Sequence, residues 1–435
     1  MNRRHFLQNS SLGFGWLGLS ALAAESAVKS SKRVIFLCMQ GAPSHVDTFD
    51  YKPKLDADTG KAGGRPGTKL LGSRWKFAQH GQSGQWMSEL FPELAHCADD
   101  LCFLKGMQTD IPAHPQAYIQ MHTGSAQFVR PSLGAWTHYG LGSMNENLPG
   151  FVTLTPASGF GGAQNYGSAF LPAHHQGTPI GTSKRPIAGA EVANLSPRMA
   201  AETQRRELDL ISSFNQSKLA REGEAPQIDG LIKSYELGYR MQSEMPGVMD
   251  IAQETPATRA LYGIDDEATE DFGRKCLLAR RMVEAGVRFV EINHGDWDHH
   301  RDLGNALPAS CGAVDKPLRG LIEDLKSRGL LEDTLVIWGG EFGRTPHAEG
   351  SDGRDHNTKA FTMWMAGGGV KGGYSHGTTD DYGYETVDGK VPIVDWHATI
   401  LHLLGMDHEK LTYRHAGRDF RLTDTAGNVV TEILA

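Results

Sequence analysis

The stretch "HGDWDHH", His294 to His300, puts three imidazoles and two carboxylates into seven positions. These are nitrogen and oxygen donors of the kind that bind borderline and hard divalent cations. They follow an apolar segment without breakers, Val287 to Asn293, that reads as a strand. Taken alone, the stretch is equally a metal-binding loop and a polar strand-end loop facing water. Three more polar clusters lie beside apolar runs. "QGAPSHVDTFD" follows Val34–Met39, "EFGRTP" follows Leu335–Trp338, and "GRDHN" comes just before Phe361–Met365. Several His, Asp and Glu clusters at strand ends are what a metal site assembled from distant sequence requires.

The elements that must position these clusters are those of an α/β protein. "FGRKCLLARRMVEAGV" is an amphipathic helix leading into "RFVEIN". Further on, "PLRGLIEDLKSRGLLEDT" reads as helix, "LVIWGG" and "FTMWMAGG" as strands, and "VDWHATILHLLG" as a helix ended by Gly405. Such alternation indicates a mostly parallel sheet with helices on both faces, whose ligands bind beyond the carboxyl ends of the strands. Asp56 to Gln85 reads as loop, and Pro131 to Thr178 is rich in Gly and Pro with few periodic runs. Residues 196–250 hold charged helical patterns and are expected to form an inserted helical cap.

Composition excludes several function classes. With 435 residues, a net charge of −8 and 39% hydrophobic residues, the chain can bury a large core but lacks the basic stripe of a nucleic-acid binder. No apolar stretch reaches the length of a membrane span. The five cysteines show no C-x-x-C spacing, which argues against a cysteine zinc site and leaves at least one thiol unpaired. At the start, Arg3-Arg4, Phe6-Leu7, a mild apolar stretch and Ala21-Leu22-Ala23 follow the order of an export signal over residues 1–23. The paired arginines resemble the twin-arginine signal, which exports proteins already folded, to the periplasm or beyond. That route suits a protein loaded with its cofactor before export.

Longer motifs carry a family resemblance. "LIEDLKSRGLLEDTLVIWGGEFGRTP" resembles the segment of the alkaline-phosphatase and sulfatase superfamily in which a helix, "gLLDnT" and an apolar strand lead to "SDHG". "VPIVDWHATILHLLGMD" is similar to that superfamily's closing helix, and "HTGSAQ" to the "LLTGR" that follows a sulfatase nucleophile. More closely, "GAPSHVDTFDYKP", "PSLGAWTHYGLGS", "GEFGRTP" and "GRDHN" together resemble a secreted sulfatase-like family known as domain of unknown function 1501.

The resemblance implies one alkaline-phosphatase-like α/β domain over residues 32–435. It implies a metal-dependent hydrolase of sulfate or phosphate esters, on a small-molecule or polysaccharide substrate. One or two divalent ions are implied, with Zn, Ca, Mn and Mg all compatible. By resemblance, Asp298 and His300 of "WDHH" ligate one metal, Glu341 stands at the Asp of "SDHG", and His356 is the late metal-ligating His. Phe342 replaces the His of that motif, and Asp355 would orient His356. Arg344 and Lys359 would clamp an anionic substrate oxygen, unless they are surface residues. Two departures stand out. The superfamily's first ligand, an Asp directly after strand one, is replaced by Met39-Gln40, which leaves Asp47 as the substitute. His114 occupies the place of the sulfatase's modified Cys or Ser. It is open as nucleophile or general acid/base, as an extra ligand, or as a structural residue. The lost nucleophile keeps a second class in view, a catalytically inactive metal-bound protein that binds carbohydrate or matrix.

Overall fold

In the computed structural model, which describes residues 31–435 apart from 191, 193, 194, 198 and 223–225, the first apolar run forms the centre of the protein. Strand β1 (Arg33–Met39) alternates between two cores: Ile35, Leu37 and Met39 enter one, and Val34, Phe36 and Cys38 the other. A strand buried on both faces must be apolar at every position, which is why the run reads as continuous. The sheet is completed by β2 (Leu101–Gln108), β3 (Phe151–Leu154), β4 (Thr178–Ile180), β5 (Phe289–His294) and β6 (Thr334–Gly339). After a two-stranded ribbon, β7 (Gly343–Glu349) with β8 (Gly353–Asn357), come β9 (Phe361–Ala366), β10 (Tyr374–His376) and β11 (Val391–Pro392). The order is β10-β2-β9-β6-β1-β5-β3-β4, with β11 also paired to β2. The fold is therefore mixed α/β on a mostly parallel sheet.

Helices cover both faces. On one side lie α5 (Glu270–Glu284) and α6 (Leu303–Ser327), burying Cys276, Leu277, Leu321 and Leu325. On the other lie α1 (His114–Thr123), α2 (Leu133–Leu141) and α7 (Ile393–Leu403), with Tyr118, Trp136 and Trp396 inside. Residues 201–249 hold α3 (Ala201–Glu222) and α4 (Pro226–Met249), joined where Arg205 forks onto Glu236 at 2.6 and 2.9 Å. Met241, Met245 and Val248 of α4 are buried in the core that α5 also lines. All five cysteines are free and buried. No described helix is long and apolar enough to cross a membrane. The export signal over residues 1–23 lies outside the described residues.

The Gly- and Pro-rich region Pro131–Thr178 supplies α2 and β3 and ends on the first residue of β4. Two local expectations are corrected. Helix α6 starts at Leu303, well before Pro317, and carries Pro308 and Pro317 inside it. Strand β9 runs antiparallel to both neighbours, with Trp364 opposite Trp338 on one side and Phe103 on the other. This reversal matters for the site. A cluster that precedes a strand lies at its amino end, which joins the carboxyl ends of β1, β5 and β6 only if that strand is reversed. The ribbon β7–β8 makes the turn.

Candidate metal centre

Strands β1, β5 and β6 end flush. Met39 pairs with His294, and Cys38 with both Asn293 and Gly339. The chain segments leaving them are then laced together. Gln40 N–H donates to His294 O at 2.8 Å, and Trp297 N–H to Gln40 O at 3.3 Å. Gly41 adopts φ +108°, and a Cβ there would lie 2.6 Å from Asp298 N. Gly353 of the ribbon sits so close that a Cβ would lie 1.7 Å from His300 O. Only glycine allows these approaches, and they carry Asp298 and His300 to one point.

The structure divides the seven residues of "HGDWDHH" by task. Asp298 and His300 enter a cluster with His114, from the start of α1, and His356, from β8; their donor atoms all lie within 4.8 Å of one another. His299 turns away into the core beside Ser310, 3.3 Å from its Oγ. His294 Nδ1 accepts the Trp297 indole N–H at 3.0 Å. Burial lowers His294 and His299 alike to about 4, so both are neutral at pH 7.

Each of the three clustered imidazoles has the same arrangement. His114 Nδ1 donates to Glu341 Oε1 at 2.5 Å, His356 Nδ1 to Pro112 O at 2.5 Å, and His300 Nδ1 to Glu349 Oε2. An oxygen acceptor at Nδ1 places the proton there and leaves the Nε2 lone pair for the cluster, the usual outer-shell arrangement of metal-binding histidine. His300 Nε2 lies 2.9 Å from Asp298 Oδ1 and 2.9 Å from His356 Nε2. His114 Nε2 and His356 Nε2 lie 3.1 and 3.6 Å from the same oxygen. Ligands 2.0–2.1 Å from a tetrahedral zinc would be separated by about 3.3 Å. The observed separations bracket that value, so these residues fit a divalent ion.

Electrostatics point the same way. Burial raises the cost of ionising Asp298, but the His114 and His356 nitrogens, which donate to it once the rings are protonated, and the Arg344 charge outweigh it and hold the carboxyl far below its usual range. Burial alone would lower His114. The carboxylates of Asp298 and Glu341 on its two sides overcome this and raise it. The site favours positive charge at this point, whether carried by a proton or by a metal ion.

Other expected residues take different places. Glu341 is fully buried behind His114 and also accepts the Gly41 N–H at 3.1 Å, so it orients a donor rather than joining the four. Asp47 is not among the four either. Both its oxygens are held by the Arg354 guanidinium, at 2.6 and 3.0 Å, and both side chains are fully buried. Arg344 is at the cluster, with Nη2 at 2.6 Å from Asp298 Oδ1, but its fork is committed to protein. It donates to Ala42 O at 3.0 Å, to Arg354 O at 3.1 Å and to Gly41 O. It therefore positions Asp298 instead of clamping a substrate. Lys359 lies apart and half-exposed, its Nζ 3.9 Å from Glu385 and 5.2 Å over the Tyr384 ring. Asp355 caps His356 through its backbone N–H at 2.7 Å, not through the ring, and forms an ion pair with Arg65. Phe342, in place of the motif's His, packs its ring on His114 at 4.7 Å and His356 at 4.4 Å.

Sequence reasoning missed Glu349, whose partner His300 is 49 residues away with no local signal. It also missed Lys275, buried on the amphipathic helix α5, which lines a cavity of about 400 Å³ reaching Asp298.

Comparison with known proteins gives distant likenesses among solved structures. The PsFucS1 sulfatase from Pseudoalteromonas sp. is 14% identical, with 90% of this chain and 70% of that one covered and a TM-score of 0.39. The lipoteichoic acid synthase LtaP from Listeria monocytogenes is 11% identical, covering 92% and 76%, with a TM-score of 0.36. The alkaline phosphatase from the Antarctic bacterium TAB5 is 11% identical, covering 86% and 99%, with a TM-score of 0.36. No curated protein matches the sequence. Residues 31–434 match the family model described as "Protein of unknown function (DUF1501)", and the chain belongs to that family.

Proposed function

We propose that the protein is a metal-dependent hydrolase of sulfate or phosphate esters. One observation carries this reading: three imidazoles, each with its Nδ1 proton tied to an outer oxygen, turn Nε2 toward the single carboxylate oxygen of Asp298. His114, Asp298, His300 and His356 would hold the ion. A divalent ion there supplies positive charge against the charge that develops on ester oxygens. The chain's own residues supply the rest. Glu341 and Glu349 fix imidazole tautomers, Arg344 holds Asp298 at the cavity side, and Phe342 and Phe160 wall His114 with apolar rings 4.7 and 5.2 Å away. A zinc or magnesium ion held by these four donors could take a further ligand, since zinc can become five-coordinate and magnesium takes six.

The donor count also supports a second reading. Four protein ligands complete a closed tetrahedral shell, the form of a structural zinc site, as in a metal-bound binding protein without catalysis. Purified protein analysed for metal and assayed on paired sulfate and phosphate esters separates the two, with the His300→Ala/His356→Ala double variant as control. The hydrolase reading expects stoichiometric divalent metal, lost in the variant, and turnover that follows the metal. Metal-free wild type would end both readings, while bound metal without turnover on any ester would favour the binding protein. Export rests on Arg3-Arg4. Replacing both by Lys should retain the protein inside the cell, and normal export of that variant would remove the twin-arginine route.

A further inference from the structure

The cavity beside the cluster has a charge pattern of its own. It measures about 400 Å³, within the roughly 300–1,000 Å³ of small-molecule sites. Asp298 and Gly41 form the wall toward the metal ligands, and Phe160, whose ring centroid is 5.2 Å from that of His114, links the two spaces. Among its described lining residues the one Lys or Arg is Lys275, which is buried and already engaged. Its Nζ lies 2.7 Å from Asp271 Oδ2 and donates to Asn293 O at 3.3 Å. The other Asp271 oxygen accepts the Ile187 N–H at 2.6 Å. Asp298 is matched by Arg344. Asp296 remains: it is exposed on the cavity wall, at φ +66°, and none of the ion pairs among the described residues includes it. His294 adds a neutral imidazole, and because its Nδ1 accepts from Trp297 its proton lies on Nε2.

We propose that this cavity receives the alcohol part of the ester and that Asp296 makes it select a hydroxyl- or ammonium-bearing group with no second anion. The proposal rests on the hydrolase reading. The wall offers carboxylate and amide acceptors to hydroxyl and ammonium donors. A second sulfate or phosphate would meet the unmatched Asp296 charge with no free cation to receive it. Like charges brought together at a partly desolvated site cost enough to reject a ligand. The substrate class is thus a polyol or amino-polyol carrying a single sulfate or phosphate ester, not a multiply sulfated chain.

The test uses one hexosamine carrying either one sulfate ester or two, and the corresponding phosphates. The wild-type protein should prefer the monoester by at least about tenfold in kcat/KM, and Asp296→Lys should abolish or reverse that preference. Calorimetry gives a readout without turnover. The hexosamine monosulfate should bind the wild type at least about tenfold more tightly than the disulfate, and Asp296→Lys should narrow the gap. Circular dichroism confirms that the variant is folded, and Asp296→Asn, which removes the charge with little change in shape, should fall between the two. Equal hydrolysis of mono- and diesters by wild type overturns the cavity assignment while leaving the hydrolase standing. A protein that hydrolyses nothing loses the hydrolase reading, and calorimetry still decides the charge preference. Unchanged discrimination in Asp296→Lys overturns the role of that residue.

Discussion

Replacing Asp47 by Asn tests whether the carboxylate nearest strand β1 serves the metal or the fold. The substitution keeps the side chain's volume and removes its charge. In the folded protein Asp47 takes Arg354 Nε at 2.6 Å and Nη2 at 3.0 Å and the Ser44 hydroxyl at 2.6 Å, with both charged groups fully buried. The variant leaves Arg354 a buried cation with only neutral acceptors, Thr345 O and Leu71 O at 3.0 Å. Breaking a buried pair from one side costs roughly 3–5 kcal/mol. Unfolding entropy near 2.1 cal/mol/K per residue gives about 0.8 kcal/mol/K for roughly 400 residues, so the melting temperature should fall by about 4–6 °C. Metal per folded molecule should stay at the wild-type level, because neither Asp47 oxygen is directed at the cluster. Thermal unfolding followed by metal analysis of the folded fraction measures both. Loss of metal with an unchanged melting temperature would show that Asp47 is a ligand and refute the argument. The double replacement Asp47→Leu with Arg354→Met removes both charges and should recover most of the lost stability.

Three further outcomes follow from the same geometry. Glu341→Gln weakens the partner of His114 Nδ1 without touching a cluster donor, so metal affinity in a chelator competition should fall about 10–100-fold; an unaltered affinity would mean that Glu341 does not orient His114. Lys359→Met should leave metal content unchanged and turnover within about twofold, as for an exposed side chain with a distant partner; a much larger loss of kcat/KM would restore it as an anion clamp. His138 packs 4.8 Å from His175, and burial lowers its pKa from 6.5 to about 4. The unfolded chain takes up a proton as pH falls through 6.5, whereas the folded protein refuses it until about 4, so stability is full above that window and lost within it. The loss amounts to about 3 kcal/mol. Denaturant midpoints at pH 7 and 4.5 should diverge less in His138→Gln, and an identical pH dependence would assign the acid sensitivity elsewhere.

What the sequence reveals depends on how far each interaction reaches. The alternation within β1, the helix α5 running into β5, and the pairing of Asp298 with His300 are local, and patterns of two to four residues carry them. His356 was legible as part of the "GRDHN" cluster beside a strand, whereas His114 was legible only through family resemblance, since nothing near it in sequence announces a shared point. Asp47 misleads for the opposite reason. It lies just past a strand end, where a ligand is expected, yet Arg354, 307 residues later, claims both its oxygens. Arg344 reads as a substrate clamp through the resemblance, but here backbone carbonyls from two other segments occupy its fork. The direction of β9 was hidden as well, because an apolar strand carries the same period whichever way it runs.

The four cluster donors come from four places: the first residue of α1, two positions of the loop after β5, and the returning strand of the ribbon. None of these segments would hold its donor alone. Arg344 supplies the connection: one planar group bonds the Gly41–Ala42 turn, the Asp298 carboxylate and the backbone of Arg354, one residue from Gly353. Gly353 in turn presses against His300, and Gly41 against Asp298, at distances where any side chain would force them apart. A guanidinium is suited to this because its donors lie in one rigid plane and its charge persists when buried. The residue that looked like a hand for the substrate is the joint of the site. With the nitrogens of His114 and His356, its charge also keeps a half-exposed Asp298 ionised, one oxygen lying 2.9, 3.1 and 3.6 Å from the three imidazoles.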